Sequence, residues 1–161
     1  MSNASKQSAV DSAEAFARVF QVSRETLGRL NLYESLLRRW QPAVNLVAPS
    51  TLGHIWHRHL ADSAQLLPLI PPEALKFADL GSGGGFPGLV LAILLAETRP
   101  AARYTLIESD QRKCAFMREV ARQTGVAVEI LSIRIEKLET QLKLSPVDVV
   151  TARALASLDR L

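Results

Sequence analysis

The chain has 161 residues and a mass of 17.7 kDa, 48% apolar and 22% charged, which is ordinary globular composition and excludes disordered, collagen-like and low-complexity classes. Its one cysteine, Cys114, excludes an intramolecular disulfide framework and a multi-cysteine zinc site. With 19 basic and 16 acidic residues the formal charge is +3, a mild bias toward polyanionic partners and no basic tail.

From about residue 12 to residue 67 the pattern is helical. Phe16, Val19 and Phe20 recur at helix spacing, as do Leu30, Tyr33, Leu36, Leu37 and Trp40. Pro42 and Pro49 mark a connecting loop, and Pro68, Pro71 and Pro72 close the segment. From Lys76 the regime changes to short β-rich runs at 76–80, 103–108, 128–132 and 147–152. Helical stretches are expected between them, at about 86–98, 111–124 and 134–141. Strands alternating with helices imply βαβ crossovers and a parallel sheet. The expected organisation is a helical cap over residues 1–75 followed by an α/β core over 76–161. The apolar stretch 86–96 is far short of a membrane span, and no export signal opens the chain, so cytoplasm is the expected compartment.

The segment Phe77-Ala78-Asp79-Leu80-Gly81-Ser82-Gly83-Gly84-Gly85-Phe86-Pro87-Gly88 places five glycines in eight residues, after a strand and before a helix. Such a backbone bends sharply and lets a ligand approach closely. Two registers compete. Gly83-x-Gly85-x-x-Gly88 matches the dinucleotide fingerprint, but its first glycine comes three residues after the strand. Asp79-x-Gly81-x-Gly83-x-Gly85 begins where the strand ends, and is the nucleotide-loop pattern of S-adenosylmethionine-dependent methyltransferases. In that register Asp79 acts on the ligand's amino group, directly or through water, the glycines lie against its methionine part, and Phe86 is an apolar wall. This register is favoured, with NAD binding as the alternative.

Glu108 ends the second strand, where an open α/β sheet binds ligands, and could accept both ribose hydroxyls. The loop after the third strand makes the Ile135 backbone and Glu136 candidates for the adenine. Arg153 stands at the tip of the fourth strand. That tip carries neither an Asn/Asp-Pro-Pro-aromatic turn for amine methylation nor a cysteine nucleophile for pyrimidine carbon methylation, and Cys114 reads as a core residue. A target with an available lone pair, such as guanine N7, needs neither base nor covalent intermediate. All three histidines fall in His54-Ile-Trp-His57-Arg-His59-Leu-Ala-Asp62-Ser63, a poor metal pattern without a well-spaced third ligand. The plainer expectation is a helix whose polar face, with Arg58, His59 and Asp62, meets the glycine loop or the substrate.

Together these residues resemble the ribosomal small-subunit methyltransferase G family, also called glucose-inhibited division protein B. The resemblance rests on Leu37-Arg-Arg-Trp40 leading to Asn45-Leu-Val47, on Arg58-His59-x-x-Asp62-Ser63, on the segment from Asp79 to Gly88, on Glu108-Ser-x-x-Arg-Lys113 and on Thr151-Ala-Arg-Ala154. It covers nearly everything from about residue 25. It implies a Rossmann-like fold, S-adenosylmethionine as cofactor, and methylation of N7 of a guanine in the 530 loop of 16S rRNA, free or in the small ribosomal subunit. By motif position it assigns cofactor contacts to Gly81, Phe86, Ile135, Glu136 and Arg153; Asn45, Arg58, His59 and Asp62 are the candidates for the substrate side. No catalytic side chain and no metal or membrane partner are expected. The family's fold ordinarily has seven strands in the order 3-2-1-4-5 plus a hairpin, whereas four are legible here. The C-terminal strands are therefore expected to be missing, the fourth strand to be an exposed edge, and the chain to self-associate through it. A methyltransferase acting on a small molecule or protein, and a non-catalytic cofactor-binding domain, are the alternatives.

Overall fold

The computed structural model describes residues 10–138 and 146–153. Two helices open it. In α1 (Ala13–Phe20) the Ser12 hydroxyl caps the Ala15 amide, and in α2 (Arg24–Trp40) the Ser23 hydroxyl caps the Thr26 amide at 3.0 Å. Each serine satisfies an amide that has no partner inside its helix. A mixed helical segment follows, as a 3₁₀ turn at Pro49–His54, a π-helical turn at Trp56–Ala61 and an α turn at Asp62–Ala64. His54 ends the 3₁₀ turn, whereas His57 and His59 stand on the wide π turn, which buries Trp56, His59 and Leu60 together.

The α/β part then runs β1 (Lys76–Leu80), α3 (Gly88–Leu95), β2 (Arg103–Glu108), α4 (Gln111–Thr124), β3 (Glu129–Ser132) and β4 (Val149–Ala152). β1, β2 and α4 have the limits that the pattern predicts. Asp110 caps α4 by accepting from the Arg112 and Lys113 amides, and Gly125 ends it at φ 71°, where a side chain would be strained. The helix expected over 86–98 is shorter, because the residues up to Pro87 are spent on the loop. Of the helix expected over 134–141, the described part is a 3₁₀ turn at Ile135–Lys137, and residues 139–141 lie outside the described residues.

All strands are parallel, in the order β3-β2-β1-β4. This is the Rossmann-like order 3-2-1-4, and it brings the carboxyl ends of all four strands to one edge. At the opposite end the Asp148 carboxylate accepts from the Leu75 and Lys76 amides, both at 2.9 Å, and ties the start of β4 to that of β1. Every residue of α3 is buried, so this helix has no polar face: it runs through the middle of the molecule, against β1 and β2 on one side and α2 on the other. One apolar core crosses residue 75, from Phe16, Leu30 and Tyr33 to Leu106, Phe116 and Val120. Trp40 meets Phe116 edge-on across it, with ring centroids 5.7 Å apart. Among the described residues no helix is long and apolar enough to cross a membrane.

Candidate functional site

The chain turns immediately after β1. Gly81, Gly83 and Gly85 all have positive φ, at 68°, 57° and 100°. Every second residue from the strand end therefore takes a conformation that costs glycine least. This alternation is the register that begins at Gly81 and not the one that begins at Gly83. Gly88 is needed for a different reason: a Cβ there would lie 2.5–2.7 Å from the Asp79 side chain. Ser82 is buried and pins the turn, its amide donating to the Ile107 carbonyl while its own carbonyl accepts from the Gly85 and Phe86 amides.

Asp79 lies under the loop, only 2% exposed. One carboxylate oxygen accepts from the Thr151 hydroxyl at 2.7 Å and the other from the Gly88 amide at 3.2 Å. Burial pushes its pKa up, and the Ser82 hydroxyl, these two bonds and the charge of Arg153 oppose the rise. The carboxylate joins β1, β4 and the start of α3 from inside, and both its oxygens are engaged in doing so.

At the ends of β2 and β3, Glu108 aims one oxygen at the Gly83 amide (2.7 Å) and the other at the Asp110 amide (3.0 Å). A carboxylate has about four acceptor positions, so two bonds leave capacity for a ligand's hydroxyls. Gly81, Ile107, Glu108, Ile133, Ile135 and Glu136 line a cavity of about 310 Å³ beside it. Three isoleucines give this cavity apolar walls, and two glutamates give it acceptors.

A second group forms around β4. Arg153 follows its last residue and donates to His59 Nδ1 at 2.6 Å, with Asp62 Oδ2 at 3.4 Å. Its guanidinium carbon stands 5.6 Å from the centroid of the Phe86 ring. The Thr51 hydroxyl donates to the Ala48 carbonyl and lies 2.8 Å from His59 Nε2. A guanidinium has no lone pair to offer, so Nδ1 is the acceptor and Nε2 carries the proton toward Thr51. His59 is thus neutral, and burial first, then Arg153 and Arg58, lower its pKa to about 4. Thr51, His57, Arg58, His59, Asp62 and Arg153 line a cavity of about 370 Å³. Arg58 and Asp62 are exposed to it, whereas His59 is 4% exposed with both ring nitrogens occupied. Among the described residues no group of three or more His, Cys, Asp or Glu side chains is arranged to hold a metal.

The structure therefore joins His59, Asp62, Phe86 and Arg153 in one contact group, and Gly81, Glu108, Ile135 and Glu136 around one cavity. The glycine loop belongs to both, since Gly81 borders the second group and Phe86 touches the first. Phe86 is not an open wall: its ring stacks on Tyr33 and meets His59 at 5.0 Å. Asn45 is exposed, and its side-chain oxygen accepts from Gln41 Nε2. Gln41 also bonds the backbone of Leu46 and Val47, which holds this loop against the glycines, where the Leu46 carbonyl would sit 3.1 Å from a Cβ at Gly84. Tyr33, Gln41, Thr51, Ser82 and Thr151 are not among the site candidates that the sequence suggests. Tyr33 lies 51 residues from its partner Gly84 and Thr151 lies 72 from Asp79, too far along the chain for local spacing to signal either contact.

Residues 26–161 match the family model described as rRNA small subunit methyltransferase G. Among curated relatives named ribosomal RNA small subunit methyltransferase G, that of Parvibaculum lavamentivorans is 57% identical over 152 residues, 94% of this chain and 66% of the relative. Those of Jannaschia sp. and Rhodospirillum centenum are 52% and 54% identical, over 88% and 92% of this chain and 65% of each relative. The chain thus spans slightly less than two thirds of the length of these relatives. With a family match over residues 26–161 and identities above one half, the chain belongs to the rRNA small subunit methyltransferase G family.

Proposed function

We propose that this chain carries the methyl-donor site of an S-adenosylmethionine-dependent methyltransferase acting on N7 of a guanine in the 530 loop of 16S rRNA. The observation that carries this reading is the loop of three left-handed glycines at the end of β1, facing Glu108 at the end of β2. The residues present suit that cofactor. Glycines at 81, 83 and 85 bring bare backbone to the ligand, Glu108 offers acceptors to ribose hydroxyls, and the isoleucine walls with Glu136 suit a flat, amine-bearing base. When bound, the cofactor supplies an electrophilic methyl group on a sulfonium sulfur.

The chain's own part is positional. Guanine N7 has a lone pair and no proton, so no general base is required, and proximity and alignment carry the rate. This agrees with a site whose histidine is neutral and fully hydrogen-bonded. Asp79 holds the loop from below, and Phe86 and Arg153 form the border between cofactor and substrate. Asn45, Arg58 and Asp62 face the substrate side, with Arg58 available to an RNA phosphate, and His59 acts there through Arg153. A cytoplasmic location follows from a ribosomal target.

Calorimetric titration with S-adenosylmethionine and with NAD, on the chain and on Gly83→Asp, tests the reading. A Cβ at Gly83 would meet only the Gly81 carbonyl oxygen, at 3.9 Å, but its φ of 57° strains any side chain there, so a thermal melt of the variant accompanies the titration to show that it is folded. Binding of the methyl donor alone, lost in the variant, is the expected result; binding of NAD, or of neither, overturns it. Donor binding without methyl transfer to small-subunit rRNA, assayed by radiolabel, would reduce the chain to a cofactor-binding domain. Affinity for the RNA is expected to fall steeply with salt.

A further inference from the structure

The glycine loop is held by a side chain that belongs to neither the loop motif nor the strand pattern. Tyr33, midway along α2, is 1% exposed, and its hydroxyl donates to the Gly84 carbonyl at 2.5 Å. Its ring lies 6° from parallel to that of Phe86, with centroids 5.4 Å apart. A Cβ on Gly85 would collide with the same hydroxyl, so the loop backbone and the phenol occupy complementary space. Phe86 passes the contact on: its other neighbours are the His59 ring and the Arg153 guanidinium. The other ties of the loop lie on either side of Gly84, at Ser82, Gly83, Gly85, Phe86 and Gly88. Deep burial drives the Tyr33 pKa well above its ordinary value, so the hydroxyl stays a donor wherever the protein is folded.

We propose that Tyr33 is a positioning residue for the methyl donor, its hydroxyl pinning the Gly84–Gly85 peptide and its ring setting the plane of Phe86, so that the loop is formed before the cofactor arrives. The proposal rests on the reading of this loop as the methyl-donor site. A pre-formed loop spares the ligand the cost of ordering it. The bond is buried and made to a loop carbonyl, so its loss leaves that carbonyl unpaired and frees the peptide to rotate.

Tyr33→Phe keeps the ring and removes only the hydroxyl; Tyr33→Leu removes the stack as well. Two measurements on the whole chain separate a clamp from a merely structural residue. Hydrogen exchange without ligand is expected to accelerate about 5- to 30-fold in the peptide 81–88 of Tyr33→Phe, with amides in α4 unchanged. Titration with S-adenosylmethionine is expected to show affinity weakened by a similar factor, and weakened further in Tyr33→Leu. Unchanged loop exchange in Tyr33→Phe, or acceleration spread evenly over the chain with a matching fall in melting temperature, overturns the clamp. Faster loop exchange with undiminished donor affinity overturns the positioning role. A wild-type chain that binds no methyl donor overturns the reading of the loop, and the exchange data then decide the clamp alone.

Discussion

Protonation of His59 would place two cations 2.6 Å apart and remove the acceptor that Arg153 uses. The fold therefore prefers neutral His59, with a pKa near 4 against an ordinary 6.5. Between these values the unfolded chain binds the proton and the folded chain does not. Stability present above pH 6.5 is consequently lost as pH falls toward 4. Urea midpoints at pH 7, 5.5 and 4 are expected to fall along that series in wild type, and to fall less in His59→Asn. Equal slopes in the two proteins would show that His59 does not titrate in this way. Asp79, whose pKa is raised, acts with the opposite sign above its unfolded value, but it is common to both proteins and cancels in the comparison. Asp79 and the glycines stand in one contiguous motif and are legible in sequence. Tyr33 is 51 residues from Gly84, and Thr151 is 72 from Asp79; no local spacing links them.

At the scale of elements, α4 shows how closely sequence can set a boundary. Asp110 and Gly125 bracket its 14 residues, and both ends are local in cause. Asp110→Ala removes the acceptor for two amides of the first turn and is expected to cost about 1 kcal/mol in urea unfolding. An unchanged midpoint would show that water replaces the cap without loss. α3 is the contrary case. Its eight residues are all buried, so no amphipathic period marks its limits, and its start depends on how many residues the loop consumes. The π turn at Trp56–Ala61 was likewise not legible, since a helical pattern alone does not distinguish its wider winding.

For the whole molecule, the order β3-β2-β1-β4 leaves β4 paired with β1 on one edge, and no described strand lies on the other. Val150 in that strand is 57% exposed. An open strand edge offers unpaired amides and carbonyls to another chain. The 161-residue chain is expected to associate through it, with a mass in light scattering that rises with concentration; a monomer at all concentrations, melting cooperatively in calorimetry, contradicts this.

By itself the sequence determined the parallel α/β class, the limits of β1, β2 and α4, and the glycine loop with its acid, because each depends on neighbours a few residues apart. Family membership was equally legible, since it rests on motifs written in the chain. The tertiary structure alone decided that Asp79 faces inward, that His59 is a neutral support for Arg153, and that Tyr33 reaches the loop from α2. Those assignments depend on which surfaces are buried against each other. Burial and long-range hydrogen bonds set the protonation, exposure and partners of a side chain, and neither exists until the helices and the sheet have packed.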